Sequence, residues 1–275
     1  MNSPALGLLL DVDGPIASPV TRTVAIDSIA HDLVALANAG NPVIFNTGRS
    51  DAFIRDVVLD AMLGAGLEPG APVHAICEKG ATWFSIVDGV AGATQVDPEL
   101  QVPADLGGFV RQLVEERFAD TMFWDDTKLT MISVEQRVEV PSETYHRVQA
   151  EFNAIVAERM REQGLDSRLR LDPSIISTDV EDARVGKDMG ARRAIELLQT
   201  FGVPKVWRTA GDSRSDYAMA DWLHEAGHEV EHLDVRPADG VPETPYAVRM
   251  HDSLIHDDAA AVFLAEWRGE FTSPR

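Results

Sequence analysis

Apolar and polar positions follow two different rhythms along the chain, and the change of rhythm divides it. Leu8, Leu9 and Leu10 form an unbroken apolar run, then Asp11-Val12-Asp13-Gly14-Pro15 introduces two carboxylates and a turn. Such a run predicts a strand buried on both faces that ends at the first carboxylate. Residues 15–23 carry no period and read as a loop. Over 24–37, Ile26, Ile29, Leu33, Leu36 and Ala37 fall on one helical face, with Gly40 as the stop. Residues 42–45 form a second short apolar run, ending in Asn46-Thr47-Gly48-Arg49-Ser50. Ser50 or Asp51 then caps a helix reaching to about residue 63, and 73–77 is a third apolar run. Strand, helix, strand, helix, strand in short steps predicts α/β architecture with a parallel sheet and right-handed crossovers.

From 81 to about 183 the strands become two-sided, as at 82–87, 129–134 and 168–171, and two helical patterns interrupt them at 104–118 and 142–163. That stretch predicts α+β structure. The first rhythm returns at Lys187 with a helix to about 201, where Gly202 and Pro204 stop it. A strand over 206–210 ends in Gly211-Asp212, and a helix over 216–226 follows. Strands at 229–235 and 246–250 and a helix at 257–267 complete the pattern. The expected organisation is a core made of 1–79 and 186–275, with an inserted domain at 80–185.

With 275 residues, 45% of them hydrophobic, the chain has enough apolar material for one large domain or two modest ones. No apolar run reaches the length of a membrane span. The start lacks the basic and cleavable features of a signal peptide, and the one cysteine, Cys77, sits in an apolar run and reads as core packing. Both features fit a reducing, cytoplasmic setting. The net charge of -21 argues against nucleic acid and membrane surfaces as partners. It also means that an anionic substrate would need local cations.

The candidate chemistry collects at the ends of the expected parallel strands, where ligands bind in open α/β sheets. Residues i and i+2 of a strand point the same way, so Asp11 and Asp13 converge just beyond the first strand. Two carboxylates that close repel each other. A hard divalent cation such as Mg²⁺ is the natural partner, and an Asp-rich turn capping a strand is the plain alternative. Thr47 follows the second strand, Asp212 the strand at 206–210, and Asp216 lies four residues on. Lys187 stands in the first turn of a helix, where a cation opposes the macrodipole, which suggests that its ammonium is used elsewhere. It is one of four lysines, with Lys79, Lys128 and Lys205. A different reading attaches to His224-Glu225-Ala226-Gly227-His228, which matches the H-E-x-x-H pattern of zinc peptidases. That pattern needs both histidines on one helical face. Gly227 instead predicts a helix stop, with His228 beyond it.

DVDG at 11–14, TGR at 47–49, Lys187 and GDSRSD at 211–216, in this order, resemble the motifs of the haloacid dehalogenase-like superfamily of phosphatases. The inserted stretch, opening with Glu78-Lys79-Gly80-Ala81, resembles the α+β cap of its Cof-type, sucrose-phosphatase, trehalose-phosphatase and phosphomannomutase branch. Two positions depart from the pattern: Pro15 stands where threonine is usual, and Lys187 is followed by Asp188-Met189-Gly190 rather than by glycine. The resemblance implies a Rossmannoid parallel-sheet core with an inserted cap.

It also implies roles. Asp11 would attack phosphorus and form an aspartyl-phosphate. Asp13 would protonate the leaving oxygen and then activate water, a residue that ester cleavage needs and dehalogenation does not. Thr47 and the amides around Gly48 would hold phosphoryl oxygens, and Lys187 would neutralise their charge. Asp212, with Asp11 and the Asp13 carbonyl, would bind Mg²⁺, and Asp216 would support the ion or Lys187. In the cap, Lys128 and Thr130 share one face of the alternating stretch 128–133 and would meet the substrate. The expected partner is a small phosphorylated metabolite, a sugar phosphate above all. A sugar phosphomutase on the same fold and a non-enzymatic phospho-acceptor are the alternatives, and the oligomeric state is open.

Overall fold

The computed structural model describes residues 4–272, which form two compact units. One contains the chain through residue 95 and again from 186 onward; the other is Val96–Val185.

The first unit begins with β1 (Gly7–Leu10), α1 (Asp27–Asn38) and β2 (Val43–Asn46). Next, α2 (Asp51–Phe53) continues through a π-helical stretch (Ile54–Leu59) into α3 (Asp60–Gly64). Then come β3 (Val73–Cys77), β4 (Thr82–Val87), β5 (Val90–Ala91) and β6 (Gln95–Val96). Helix α1 starts at Asp27 rather than at 24, because Ile26 is extended (φ -106°, ψ 107°) and packs sideways against the core. The stretch 82–87, expected in the insertion, belongs to the first unit: β4 runs antiparallel to β3, with Ala75 opposite Phe84. Its alternation reflects one buried face and one only half-buried face. The second unit accordingly begins at Val96 rather than at 80.

Within the second unit, α4 (Ala104–Leu113) runs on into a π-helical turn (Val114–Phe118), followed by β7 (Met122–Trp124), β8 (Ile132–Gln136), α5 (Ser142–Glu162), β9 (Leu169–Pro173) and β10 (Ser177–Asp182). The four strands form an antiparallel sheet in the order β7-β8-β10-β9. Ile132, Val134, Val180 and Leu169 on one face pack with Leu106, Tyr145, Phe152 and Val156 of the helices. The stretch expected as a strand from 129 enters the sheet only at Ile132. Lys128 and Thr130 lie in the preceding turn, where Thr130 is buried and Lys128 half-buried. The alternation from 128 therefore does not describe a strand face.

Back in the first unit follow α6 (Lys187–Leu198), β11 (Val206–Gly211), α7 (Tyr217–Glu225), β12 (Glu229–Asp234), β13 (Ala247–Arg249) and α8 (His256–Phe271). The sheet order is β13-β12-β11-β1-β2-β3-β4-β5, parallel from β13 through β3. Its central strands are buried on both faces, as their continuous apolar runs require. Leu8, Leu10, Val43, Phe45 and Val73 join α1, the 51–64 helical segment and α8 in one core. Leu9, Ile44 and Ile76 join α6 and α7 in the other. Trp207 and Trp267, both buried, fill the two layers. This sandwich holds the carboxyl ends of β1, β2 and β11 side by side.

Candidate active site

Asp11 extends β1 by one residue: its N–H donates to the Ala210 carbonyl at 2.9 Å, as a ladder bond would. The side chain is buried, and Oδ1 accepts the Val12 N–H at 2.7 Å. Thr47 likewise extends β2, donating its N–H to the Ile76 carbonyl at 3.0 Å. The chain then turns sharply, with the Arg49 N–H on Thr47 Oγ1 at 3.1 Å. Gly14 sits at φ +92°, and a Cβ there would lie 2.7 Å from the Asp212 Cβ, so only glycine lets the loops after β1 and β11 approach this closely.

Lys187 opens α6 with its side chain buried among three acceptors. Its Nζ lies 2.7 Å from Asp11 Oδ1, 2.7 Å from Asp216 Oδ1 and 2.8 Å from the Asn46 carbonyl. Asn46 answers in kind, its Nδ2 donating to the Lys187 carbonyl at 2.9 Å. The two residues clamp the end of β2 to the start of α6. A Cβ on Gly190 would lie 1.9 Å from Asn46 Oδ1, so glycine at this helix position makes the clamp possible.

Asp216 is fully buried. Oδ1 holds Lys187, while Oδ2 accepts the N–H groups of Asp212 and Ser213 at 3.1 and 2.9 Å and the Ser213 hydroxyl at 2.8 Å. It thus shapes the loop that presents Asp212. Asp13 is separate from this group. Its carboxylate takes a bidentate grip from Arg49, with Nε at 2.8 Å from Oδ2 and Nη2 at 2.7 Å from Oδ1. The pairing of Asp13 with Arg49 was not foreseen from sequence, although Arg49 follows Thr47-Gly48 directly and so had to lie at the same sheet edge. The role of Asn46 had no sequence signal beyond an amide at the end of an apolar run.

Electrostatics follow from this packing. Burial pushes the Asp11 carboxyl well above the usual range; Lys187 opposes that, while Asp216 and Asp13 add to it. Asp212 is raised as well, by burial and then by Asp216. Burial disfavours the Lys187 ammonium, yet Asp11 and Asp216 outweigh it and its pKa is raised. Asp216 is lowered, because Lys187 and the Ser213 hydrogen bond overcome its desolvation.

Three neighbouring carboxylates and one ammonium leave negative charge to be met. Asp11, Asp212 and Asp216 each offer an oxygen, and the three lie within 4.8 Å of one another. An all-oxygen set with two carboxyls raised by burial and by neighbouring carboxylates fits a hard divalent cation. The Asp13 side chain does not join them. His224 and His228 do not form a metal pair. Helix α7 ends at Glu225, Gly227 turns at φ +89°, and the His224 and His228 rings pack on Tyr246 and Trp207 respectively.

No family model matches the sequence, and neither does any curated protein. Solved structures do match. The C-terminal domain of trehalose-6-phosphate phosphatase from C. albicans aligns over 97% of this chain and 93% of that one, at 16% identity and a TM-score of 0.67. Sucrose-phosphatase from Synechocystis, in complex with sucrose and phosphate, aligns over 98% and 100%, at 15% identity and a TM-score of 0.56. A haloacid dehalogenase-like hydrolase from Bacteroides thetaiotaomicron aligns over 95% and 98%, at 10% identity and a TM-score of 0.65. With a parallel sheet, an inserted antiparallel unit and carboxylates at the strand ends, the chain has the haloacid dehalogenase-like fold, in the form shared with trehalose-6-phosphate phosphatase and sucrose-phosphatase.

Proposed function

We propose that this protein is a phosphomonoester hydrolase of small phosphorylated metabolites, a sugar phosphate foremost, working through an aspartyl-phosphate with Mg²⁺ as cofactor. One observation carries the reading: Asp11, buried at the end of β1, has Oδ1 pinned by Lys187 and the Val12 N–H, so Oδ2 is the oxygen presented for reaction. Sucrose-phosphatase and trehalose-6-phosphate phosphatase, which share the fold, motivate the choice of a sugar phosphate.

In this reading Asp11 Oδ2 bonds to phosphorus as the ester P–O bond breaks, and Asp13 gives its proton to the departing oxygen. Asp13 then takes a proton from water, whose oxygen bonds to phosphorus as the Asp11–phosphorus bond breaks. Ester plus water become alcohol plus phosphate, and both carboxyls return to their starting states. Arg49 grips Asp13 at both oxygens, so the pair must open for proton transfer. Thr47 and the Gly48 amide receive phosphoryl oxygens at the end of β2. Asp11, Asp212 and the Asp13 carbonyl would hold Mg²⁺, with Asp216 in support. The bound ion would neutralise charge on the phosphoryl group and the surrounding carboxylates. The second unit, 96–185, is assigned the role of a cap, and Lys128, half-buried in the turn before β8, that of a leaving-group contact; Thr130 is buried and is not kept in that role. Lys128→Ala should then raise KM for the native substrate and spare a small aryl phosphate.

The decisive experiment is a screen of phosphorylated metabolites with Mg²⁺ that quantifies both free phosphate and isomerised product. Repeated release of phosphate supports the hydrolase and excludes a stoichiometric phospho-acceptor. Isomerised product with no free phosphate would make the protein a phosphomutase. No turnover of any phosphomonoester would sink the reading.

A further inference from the structure

The proposed site is short of cationic donors. Lys187 Nζ donates to the Asn46 carbonyl at 2.8 Å and pairs with Asp11 Oδ1 and Asp216 Oδ1 at 2.7 Å each. Lys187 is thereby fitted to hold the carboxylates in place. Arg49, the nearby guanidinium, is gripped on Asp13. A phosphoryl group arriving at Thr47 and Gly48, in a chain with a net charge of -21, calls for a further positive charge.

Lys79 stands at that place. It lies in the turn between β3 and β4, and its backbone ties two parts of the site together. The Lys79 N–H donates to the Thr47 carbonyl at 3.0 Å, and its carbonyl accepts the Gly186 N–H at 2.8 Å, one residue before Lys187. Its side chain runs along Gly48: a Cβ placed on that glycine would lie 3.8 Å from Lys79 Cγ and 3.6 Å from Cε. The stem therefore crosses the loop whose amides are assigned to the phosphoryl oxygens, and Nζ is one bond beyond Cε. The backbone adds a second observation. Glu78 and Lys79 are consecutive residues with positive φ, +47° and +55°. That left-handed conformation disfavours any residue with a Cβ, and glycine or asparagine adopts it more cheaply. A lysine kept where those would suit the backbone better points to a use for its side chain.

We propose that Lys79 is a phosphate-binding residue, supplying the cation that meets the phosphoryl group over Gly48. This rests on the phosphatase reading and deepens it: Lys187 organises the carboxylates, and Lys79 binds the anion.

The test uses the full chain with Mg²⁺ and three readouts. They are the affinity for inorganic phosphate by calorimetry, KM for p-nitrophenyl phosphate, and the melting temperature. Lys79→Met keeps the stem and the same backbone preference but removes the charge; Lys79→Arg keeps a charge. Loss of one charge-assisted hydrogen bond should weaken phosphate binding and raise KM about 10- to 100-fold in Lys79→Met. The melting temperature should stay unchanged, and Lys79→Arg should retain most of the affinity. Wild-type phosphate affinity in Lys79→Met would overturn the proposal while leaving the phosphatase reading intact. Equal weakening in both variants would overturn it too, since shape rather than charge would then be responsible. If the unaltered protein neither binds phosphate nor hydrolyses the aryl ester, the phosphatase reading falls first and takes this proposal with it.

Discussion

Asp11 and Lys187 are partners, yet replacing one should act on activity and replacing the other on stability. Asp11 and Asp216 pair with the Lys187 ammonium, and Asp212 lies beside them with an oxygen within 4.8 Å of one from each. Asp11→Asn removes one negative charge from an over-acidic cluster and is nearly isosteric. The amide oxygen can still accept the Val12 N–H and the Lys187 ammonium, which now meet Oδ1 at 2.7 Å each. The charge that burial and its neighbours make costly is gone. Stability should therefore change by no more than about 1 kcal/mol, in either direction. Lys187→Met does the opposite, stranding two buried carboxylates. Breaking a buried pair in this way costs about 3–5 kcal/mol. At about 2–4 °C per kcal/mol for a domain of this size, the melting temperature should fall by about 6–20 °C. Thermal melts followed by near-ultraviolet circular dichroism, run beside phosphate release on the best substrate, read both effects. Asp11→Asn should melt within a few degrees of the parent and release no phosphate. Lys187→Met should melt far lower. Phosphate release above background from clean Asp11→Asn protein would refute the nucleophile, and an unmoved melting temperature in Lys187→Met would refute the electrostatic account of the cluster.

Three further outcomes are expected. Asp13→Asn should slow phospho-enzyme formation from an alkyl phosphate far more than from an aryl phosphate, whose leaving group needs little protonation; equal slowing in rapid-quench measurements would make Asp13 structural only. Burial lowers the pKa of His74, whose Nδ1 sits 2.8 Å from Ser85 Oγ, to about 4. Stability from this residue is complete above its unfolded value near 6.5 and declines as pH falls from there towards 4, by at most about 3 kcal/mol. Denaturant titrations should show that slope, flattened in His74→Gln. In the second unit, hydrogen bonds from Arg184 hold Asp182 down to about 2 against its burial, with Arg168 helping. That stability is present above about pH 4 and is lost as pH falls through 2. Hydrogen exchange across β10 should lose this acid limb in Asp182→Asn.

Legibility differed between the two units for a physical reason. Strands β1, β2 and β3 are buried on both faces, so every position is apolar and the run is unmistakable. Strand β10 went unseen. It reads Ser177-Thr178-Asp179-Val180-Glu181-Asp182, with Val180 as its one large apolar residue. Its carboxylates are sustained by arginines outside the strand, Glu181 by Arg170 of β9 and Asp182 by Arg168 before β9 and Arg184 just after β10. No local pattern announces a strand stabilised in that way. The assignment of 82–87 to the insertion failed for a related reason, because an antiparallel strand with one half-buried face alternates alike in either unit.

The sequence by itself determined the sheet and its carboxylate-bearing ends. Apolar runs terminated by Asp11, Thr47 and Asp212 must align in a parallel sheet, and the alignment brings those residues together whatever the details. Tertiary structure alone decided how they divide the work. That Lys187 meets Asp11, Asp216 and the Asn46 carbonyl, and that Asp13 turns to Arg49, are contacts between residues far apart in the chain, such as the 141 positions between Lys187 and Asn46 and the 36 between Asp13 and Arg49. Strand patterns report which way a side chain faces, and hydrogen-bond partners depend on distances that only packing sets.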